Sequence, residues 1–375
     1  MDVSDPTFHS VFVPGEDGFS SIRIPSIVTT RRGTLLAFAE GRAANRDQAS
    51  NKILLKRSAD NGETWSSAAV IAEDDARSLN NPCVVVERGS GRVLMMIQSY
   101  PAGVAERSDK IETGYEGDHV VRNYLITSDD DGLTWSKPRD VTKGTKRRER
   151  VTTVAVGPGI GIQLRRGRHA GRLLFPFNEG PYGVWNIYAA YSDDKGRTWK
   201  MGDIAPGGII ETAGGAPSSM VNEAQFVELK NGSVRFNVRR WAGSHVRKTC
   251  VSRDGGITWS KVEDAPELKD PSCMASILRY TDPADGWKSR ILFSGPQSEK
   301  RENGAVFLSY DEGATWPVHR VLCADRFAYS CLTVLPDQSI GCLYEADGAG
   351  RIVFARFTLD WLTNGKDGLD HPQKP

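Results

Sequence analysis

One eight-residue pattern, Ser-x-Asp-x-Gly-x-Thr-Trp, occurs five times in this chain, at residues 58–65, 128–135, 192–199, 252–259 and 309–316. In each copy the Asp can accept hydrogen bonds from the backbone just ahead of it, and the Gly can take positive φ without steric cost. Strand-like residues flank every copy, so each reads as a hairpin with its Trp packed beneath. A signature repeated in this way marks a repeat architecture. Successive copies are separated by intervals that shorten from 70 to 57 residues. A blade of four antiparallel strands fits such a unit, and blades close into rings of about four to eight. The four intervals account for four units and the rest of the chain holds about two more, which predicts six blades. The sixth carries no box and is expected to form by joining the two ends of the chain.

The expected fold is therefore an all-β, six-bladed β-propeller occupying residues 1–375 as a single domain. That length exceeds the roughly 100–200 residues usual for one domain, but all-β rings routinely exceed it, and no linker interrupts the repeat. A formal net charge of +1 offers no general attraction to nucleic acid or acidic membranes, so no nucleic-acid partner is expected. The local clusters Lys146-Arg147-Arg148 and Arg165-Arg166-Gly167-Arg168 read as solvated loops. No apolar run approaches the ~20 residues of a membrane span. The start, Met1-Asp2-Val3-Ser4-Asp5-Pro6, shows no basic-then-apolar leader, so no export signal is expected there.

The six cysteines include no Cys-x-x-Cys pair, and the histidines are scattered, so neither a metal nor a cofactor is expected. Cys331 and Cys342 flank one predicted hairpin and could be near neighbours, bonded or not. Asp129-Asp130-Asp131-Gly132 lacks the alternating ligands and distant Glu of an EF-hand loop, and belongs to the second box instead. Between Ser99 and Asp118 a polar loop of about twenty residues could wall a ligand pocket. Beyond Asp360 little more than a short tail is expected.

Ring closure brings the innermost strands of all blades around one axis, so polar residues in them would share a pocket. Arg23, Glu223, Arg239, Arg301, Tyr329 and Glu345 are the candidates, with Asp47 supplied by a loop. Arg23 stands among Ile22, Ile24, Ile27 and Val28, where a charge is costly unless something anionic meets it.

From Arg23 to Glu345 the chain resembles the exo-acting, retaining sialidases, which are built on a six-bladed propeller with these Asp boxes. Arg23-Ile24-Pro25 resembles the segment whose Arg is the first of three that clamp the substrate carboxylate. Phe236-Asn237-Val238-Arg239 is similar to the segment bearing the second, and Arg301, ahead of Asn303-Gly304 and the fifth box, stands where the third is found. Tyr329 in Ala328-Tyr329-Ser330 matches the nucleophile, and Glu223 in Asn222-Glu223-Ala224 its carboxylate partner. Asp47 falls in the loop of the acid/base, and Glu40-Gly41-Arg42 resembles the strand end whose Arg lies over the sugar ring. Glu345 in Leu343-Tyr344-Glu345 resembles the carboxylate that orients the first Arg. One departure is Ser294-Gly295-Pro296-Gln297, where Asn-Pro is common, on the approach to Arg301.

The chemistry suits these roles. A sialic acid carries a carboxylate on its anomeric carbon, and three guanidiniums can hold it through charge-assisted hydrogen bonds of fixed geometry that Lys would not reproduce. That same carboxylate would repel a carboxylate nucleophile, whereas a neutral phenol with a base beside it avoids the repulsion. The resemblance implies an exo-α-sialidase acting on sialylated glycoproteins, glycolipids and oligosaccharides. A trans-sialidase or anhydro-forming variant of the same site is the alternative, and a non-catalytic Asp-box propeller that binds glycans or proteins is the rival from another class.

Overall fold

The computed structural model describes residues 4–348 and 350–369. Six sheets radiate about one axis, each a meander whose first strand lies innermost. Blade 1 is Ser21–Thr29, Leu35–Arg42, Lys52–Ser58 and Ala69–Ala72. Blade 2 is Arg77–Val86, Val93–Pro101, Arg122–Ser128 and Arg139–Asp140, with Gly159–Ile160 added in parallel on its inner edge. Blade 3 is Thr153–Val156, Leu173–Gly180, Asn186–Ser192 and Lys200–Met201, with Ile162–Gln163 as a fifth piece. Blades 4 and 5 run from Val221–Glu228 to Glu263–Lys269 and from Ser276–Thr281 to Val318–Arg326.

Blade 6 closes the ring as expected. Ser330–Val334, Ile340–Glu345 and Ile352–Phe357 come from the end of the chain, and Thr7–Phe12 from its start forms the outermost strand, antiparallel to Ile352–Phe357. Pairing the two ends removes the open seam that a ring of sheets would otherwise leave.

All five boxes lie between the third and fourth strands of blades 1–5, away from the axis. In the first, Asp60 accepts from the Ser58 hydroxyl (2.7 Å), the Thr64 amide (3.0 Å) and the Thr64 hydroxyl (2.5 Å). Those bonds to Thr64 and Ser58 hold its carboxyl at about 2, in water or nearly so. Gly62 adopts a φ of 91°, and a Cβ there would lie 2.1 Å from the Phe354 ring, so the turn needs glycine twice over. Trp65 donates to the Gly62 carbonyl (3.0 Å) and meets Phe354 of blade 6 edge-on at 5.4 Å. Trp135 meets Phe38 of blade 1 in the same way at 5.7 Å. Such contacts contribute about 0.5–1.5 kcal/mol each beyond area burial, and here they join neighbouring blades.

Several expectations change. The end of the chain is more than a tail. Leu359–Thr363 forms a helical turn capped by the Thr358 side chain, burying Trp361 and Leu362, and Asp367 pairs with buried Arg290 at 2.7 and 2.6 Å. The first basic cluster is solvated only in part: Arg148 is exposed, but Lys146 is fully buried and donates to the carbonyls of Gly114 and Val121, both at 3.1 Å. In the second, Arg165 and Arg166 pair with Asp282, Asp285 and Glu228. All six cysteines are free. Cys331 stands opposite Leu343 and Leu332 opposite Cys342, a one-residue offset that sends the two thiols to opposite faces of the sheet. No helix among the described residues is long and apolar enough to cross a membrane.

Candidate active site

In an antiparallel meander the first strand begins beside the place where the second ends. Residues at those two positions therefore gather at one end of the channel from every blade. Arg23 and Glu223 lie near the starts of first strands and Tyr329 immediately precedes one, while Arg42, Arg239 and Glu345 lie at or next to the ends of second strands. A cavity of about 220 Å³ opens there, lined by Arg23, Arg42, Asp47, Glu223, Arg239, Arg301 and Tyr329. A wider cavity of about 600 Å³ occupies the other end of the channel. Its walls are strand-end aliphatic residues and arginines largely paired with carboxylates, without convergent catalytic groups, so the smaller cavity is the candidate site.

Arg23 is aimed by a break in its strand. Pairing within blade 1 slips between Arg23 and Ser26, where Pro25 has no N–H to give the ladder. Ile24 is held at a φ of 63°, a conformation a β-branched residue adopts only under constraint. Glu345 supplies the constraint. It accepts from the Ile24 amide and from Arg23 Nε and Nη2, each at 2.9 Å. Burial works against the charge on Glu345, yet Arg23 and the Ile24 amide leave its carboxyl below the usual range. Glu345 itself stands behind Arg23 rather than on the cavity wall, so it orients the Arg and does not line the pocket. Arg23 Nη1 remains uncommitted among the described residues.

Tyr329 and Glu223 face each other directly. The phenol donates to the carboxylate, with 2.7 Å to each oxygen, and Arg239 Nη1 donates to both the phenol oxygen (2.7 Å) and Glu223 Oε2. Burial pushes the phenol well above its ordinary range, so Tyr329 keeps its proton in the free protein. The guanidiniums of Arg23 and Arg301 lie 5.4 and 5.3 Å from the centre of the Tyr329 ring. Arg301 donates to the Ser272 carbonyl (2.7 Å) and, among the described residues, meets no carboxylate. Arg239 Nε is buried without a partner. Despite the departure at residues 294–297, Arg301 reaches the site, because the strand Arg290–Pro296 ends in a turn closed by the Gln297 amide on the Asn303 carbonyl (2.9 Å).

Asp47 lies across the cavity with its side chain 72% exposed, accepting from Arg42 Nη1 at 2.9 Å. Its loop has no strand, but Asn51 and Asn80 each donate to the Asp47 carbonyl at 2.6 Å and fix it in place. Arg42 is buried, bonded through Nε to Glu40 (2.8 Å), and Glu40 also accepts from the Asn81 amide (2.6 Å).

Two further parts of the wall are not among the candidate residues that the sequence points to. One is Glu106, on the long polar loop between Ser99 and Asp118. Burial, with the charge of Asp47 nearby, pushes its carboxyl up to about 7. An ordinary Glu titrates near 4.3, so the folded state holds a proton that the unfolded chain releases as pH rises from ~4 to ~7. Stability should decline across that window and stay lower above it. Glu106→Gln should therefore melt higher than the parent at pH 8 and close to it at pH 5. Equal differences in thermal melts at both pH values would contradict the assignment. The other part is an aromatic cluster of Tyr182, Trp185 and Trp241, with ring centres 4.7–6.0 Å apart in edge-on contacts. Trp185 is anchored by a 2.8 Å bond to Thr153, and the added hairpin of Ile209–Glu211 and Pro217–Ser219 braces it through Ser219.

Comparison with known proteins gives the family. The family described as BNR repeat-like domain matches residues 33–342. A sialidase of Micromonospora viridifaciens is 35% identical over 370 residues, covering 95% of this chain and 54% of that protein. A sialidase of Bacteroides fragilis is 30% identical over 89% of this chain and 62% of its own length. The chain thus spans little more than half the length of these curated relatives. Among solved structures, a Hadza microbial sialidase superposes with a TM-score of 0.83 at 27% identity, over 95% of this chain and 69% of that one. The chain belongs to the sialidase family with BNR repeats.

Proposed function

We propose that this protein is an exo-α-sialidase, releasing terminal α-linked sialic acid from glycans with retention through a sialyl-tyrosine intermediate. The observation that carries the reading is the Tyr329 phenol, bonded to both oxygens of Glu223 and flanked by three guanidiniums in one small cavity. The uncommitted N–H groups of Arg23, Arg239 and Arg301 receive the substrate carboxylate. Tyr329 Oη attacks the anomeric carbon as its proton passes to Glu223, while Asp47 protonates the departing glycosidic oxygen. Water then attacks the same carbon, giving a proton to Asp47, and the C–O bond to Tyr329 breaks as the phenol recovers its proton from Glu223. Two inversions give retention. Proton NMR of the sugar first released from an α-sialoside tests this. The α anomer is expected. A β anomer first, or no release, would overturn the reading, and a sialylated acceptor or an anhydro sugar would assign the same site to transfer or internal attack.

The role of Asp47 has its own test. An acid matters most when the leaving group is a sugar hydroxyl and least when it is an activated phenol. General acid/base help is typically ~10²–10⁴-fold. Asp47→Ala should accordingly lose far more kcat/KM on sialyl-lactose than on an aryl sialoside. Equal losses would make Asp47 a binding or folding residue, held by Arg42.

A further inference from the structure

One buried ion pair lies outside the cavity and takes no part in the proposed reaction. Arg247, in the third strand of blade 4, is 1% exposed, and Asp270, in the connection to blade 5, is fully buried. Arg247 Nη1 donates to Asp270 Oδ2 at 2.9 Å and to the Cys273 carbonyl at 2.7 Å, and its Nε donates to Asn237 Oδ1 at 2.8 Å. Removing two charges from water is costly, and such a pair is a weak source of stability compared with an apolar packing of the same volume. Its partners suggest what it is for.

Asp270 Oδ2 accepts from the amide of Arg240 at 2.7 Å, the residue after Arg239. Its Oδ1 accepts from the Cys273 amide at 2.9 Å, closing a turn over residues 270–273. At the tip of that turn Ser272 adopts a φ of 55°. Its carbonyl takes Arg301 Nη2 at 2.7 Å, and its hydroxyl takes Arg240 Nη1 at 2.9 Å. Arg23 and Arg239 each have a carboxylate of their own, Glu345 and Glu223, while Arg301 is held by this carbonyl. We infer that Asp270, backed by Arg247, is a positioning residue that sets Arg301 for the substrate carboxylate through the Ser272 carbonyl. The inference rests on the three arginines binding that carboxylate.

A double-mutant cycle on kcat/KM for an aryl α-sialoside tests it, using Asp270→Asn, Arg301→Ala and the pair. An amide at 270 cannot accept both the Arg240 and Cys273 amides through its two heavy atoms, so the turn loosens. Asp270→Asn should cost at least tenfold when Arg301 is present and under threefold once it is gone, because the two losses act through one group. Losses that simply multiply would mean a general structural role and overturn the inference. Should Asp270→Asn not fold, Ser272→Pro serves instead. Proline cannot take a φ of 55°, so the half-buried turn must move its carbonyl while the buried pair stays intact. It should show the same dependence on Arg301, and parent-level activity in Ser272→Pro would also overturn the inference. A parent chain that hydrolyses no sialoside defeats the functional reading and this inference together, whereas an active parent with multiplicative losses defeats this inference alone.

Discussion

Arg301→Ala is expected to lose roughly 30- to 5,000-fold in kcat/KM for any α-sialoside. Truncating one partner of a buried, charge-assisted contact typically costs ~2–5 kcal/mol, and each 1.36 kcal/mol is a factor of ten. Arg301 is the cleanest of the three sites, because its guanidinium meets no carboxylate among the described residues and its removal orphans none. Arg23→Ala should fall at the upper end of the same range. Glu345, 2% exposed, would be left buried without its bidentate partner, a cost that Arg301→Ala does not carry. Arg239→Ala removes in addition the donor to the Tyr329 oxygen, so its loss should reach kcat as well as KM. Lysine at any of the three should not rescue, since an ammonium cannot reproduce the planar fork. Near-parent activity in all three alanine variants would place the carboxylate clamp elsewhere.

The blade count was readable because each box states where a turn must fall, and five such statements at nearly regular intervals leave one architecture. The site was readable for a related reason. Its ionisable residues sit near strand starts and ends, where ring closure makes direction predictable, as with Arg23, Glu223 and Arg239. Loops carry no such rule. Asp47 could be placed in its loop but not aimed, since the aim comes from Asn51 and Asn80 pinning a carbonyl. The length of the loop between Ser99 and Asp118 marks it as a possible wall, but nothing in its polar composition tells that Glu106 is the residue that faces the cavity. In the structure two cations bonded to main-chain carbonyls tie that loop down, Arg77 to Ser99, Asp118 and Val120, and Lys146 to Gly114 and Val121. A cation whose donors are met by carbonyls leaves no acidic partner in the sequence to find. The turn at Leu359–Thr363 escaped because five residues carry too little periodicity to register.

Tyr329 is expected to become covalently attached to the substrate sugar. A 2,3-difluoro sialic acid, whose fluorines slow both formation and breakdown of the intermediate, should inactivate the protein and add its sugar mass to the peptide containing Tyr329. The geometry makes a specific demand on this residue. With burial holding the phenol protonated, nucleophilic attack depends on Glu223, 2.7 Å away through either oxygen, taking the proton as the bond forms. Arg239, donating to the same phenol oxygen, steadies the charge that gathers there on the way out. Glu223→Gln keeps the shape but cannot accept the proton, so it should slow labelling by orders of magnitude while leaving the site of labelling unchanged. Tyr329→Phe removes the attacking oxygen and should abolish labelling altogether, with the fold intact because the ring still packs beside Arg23 and Arg301. Sugar mass found on Glu223 or Asp47 in the parent protein would overturn the assignment, because either carboxylate would then be attacking past the substrate's own negative charge.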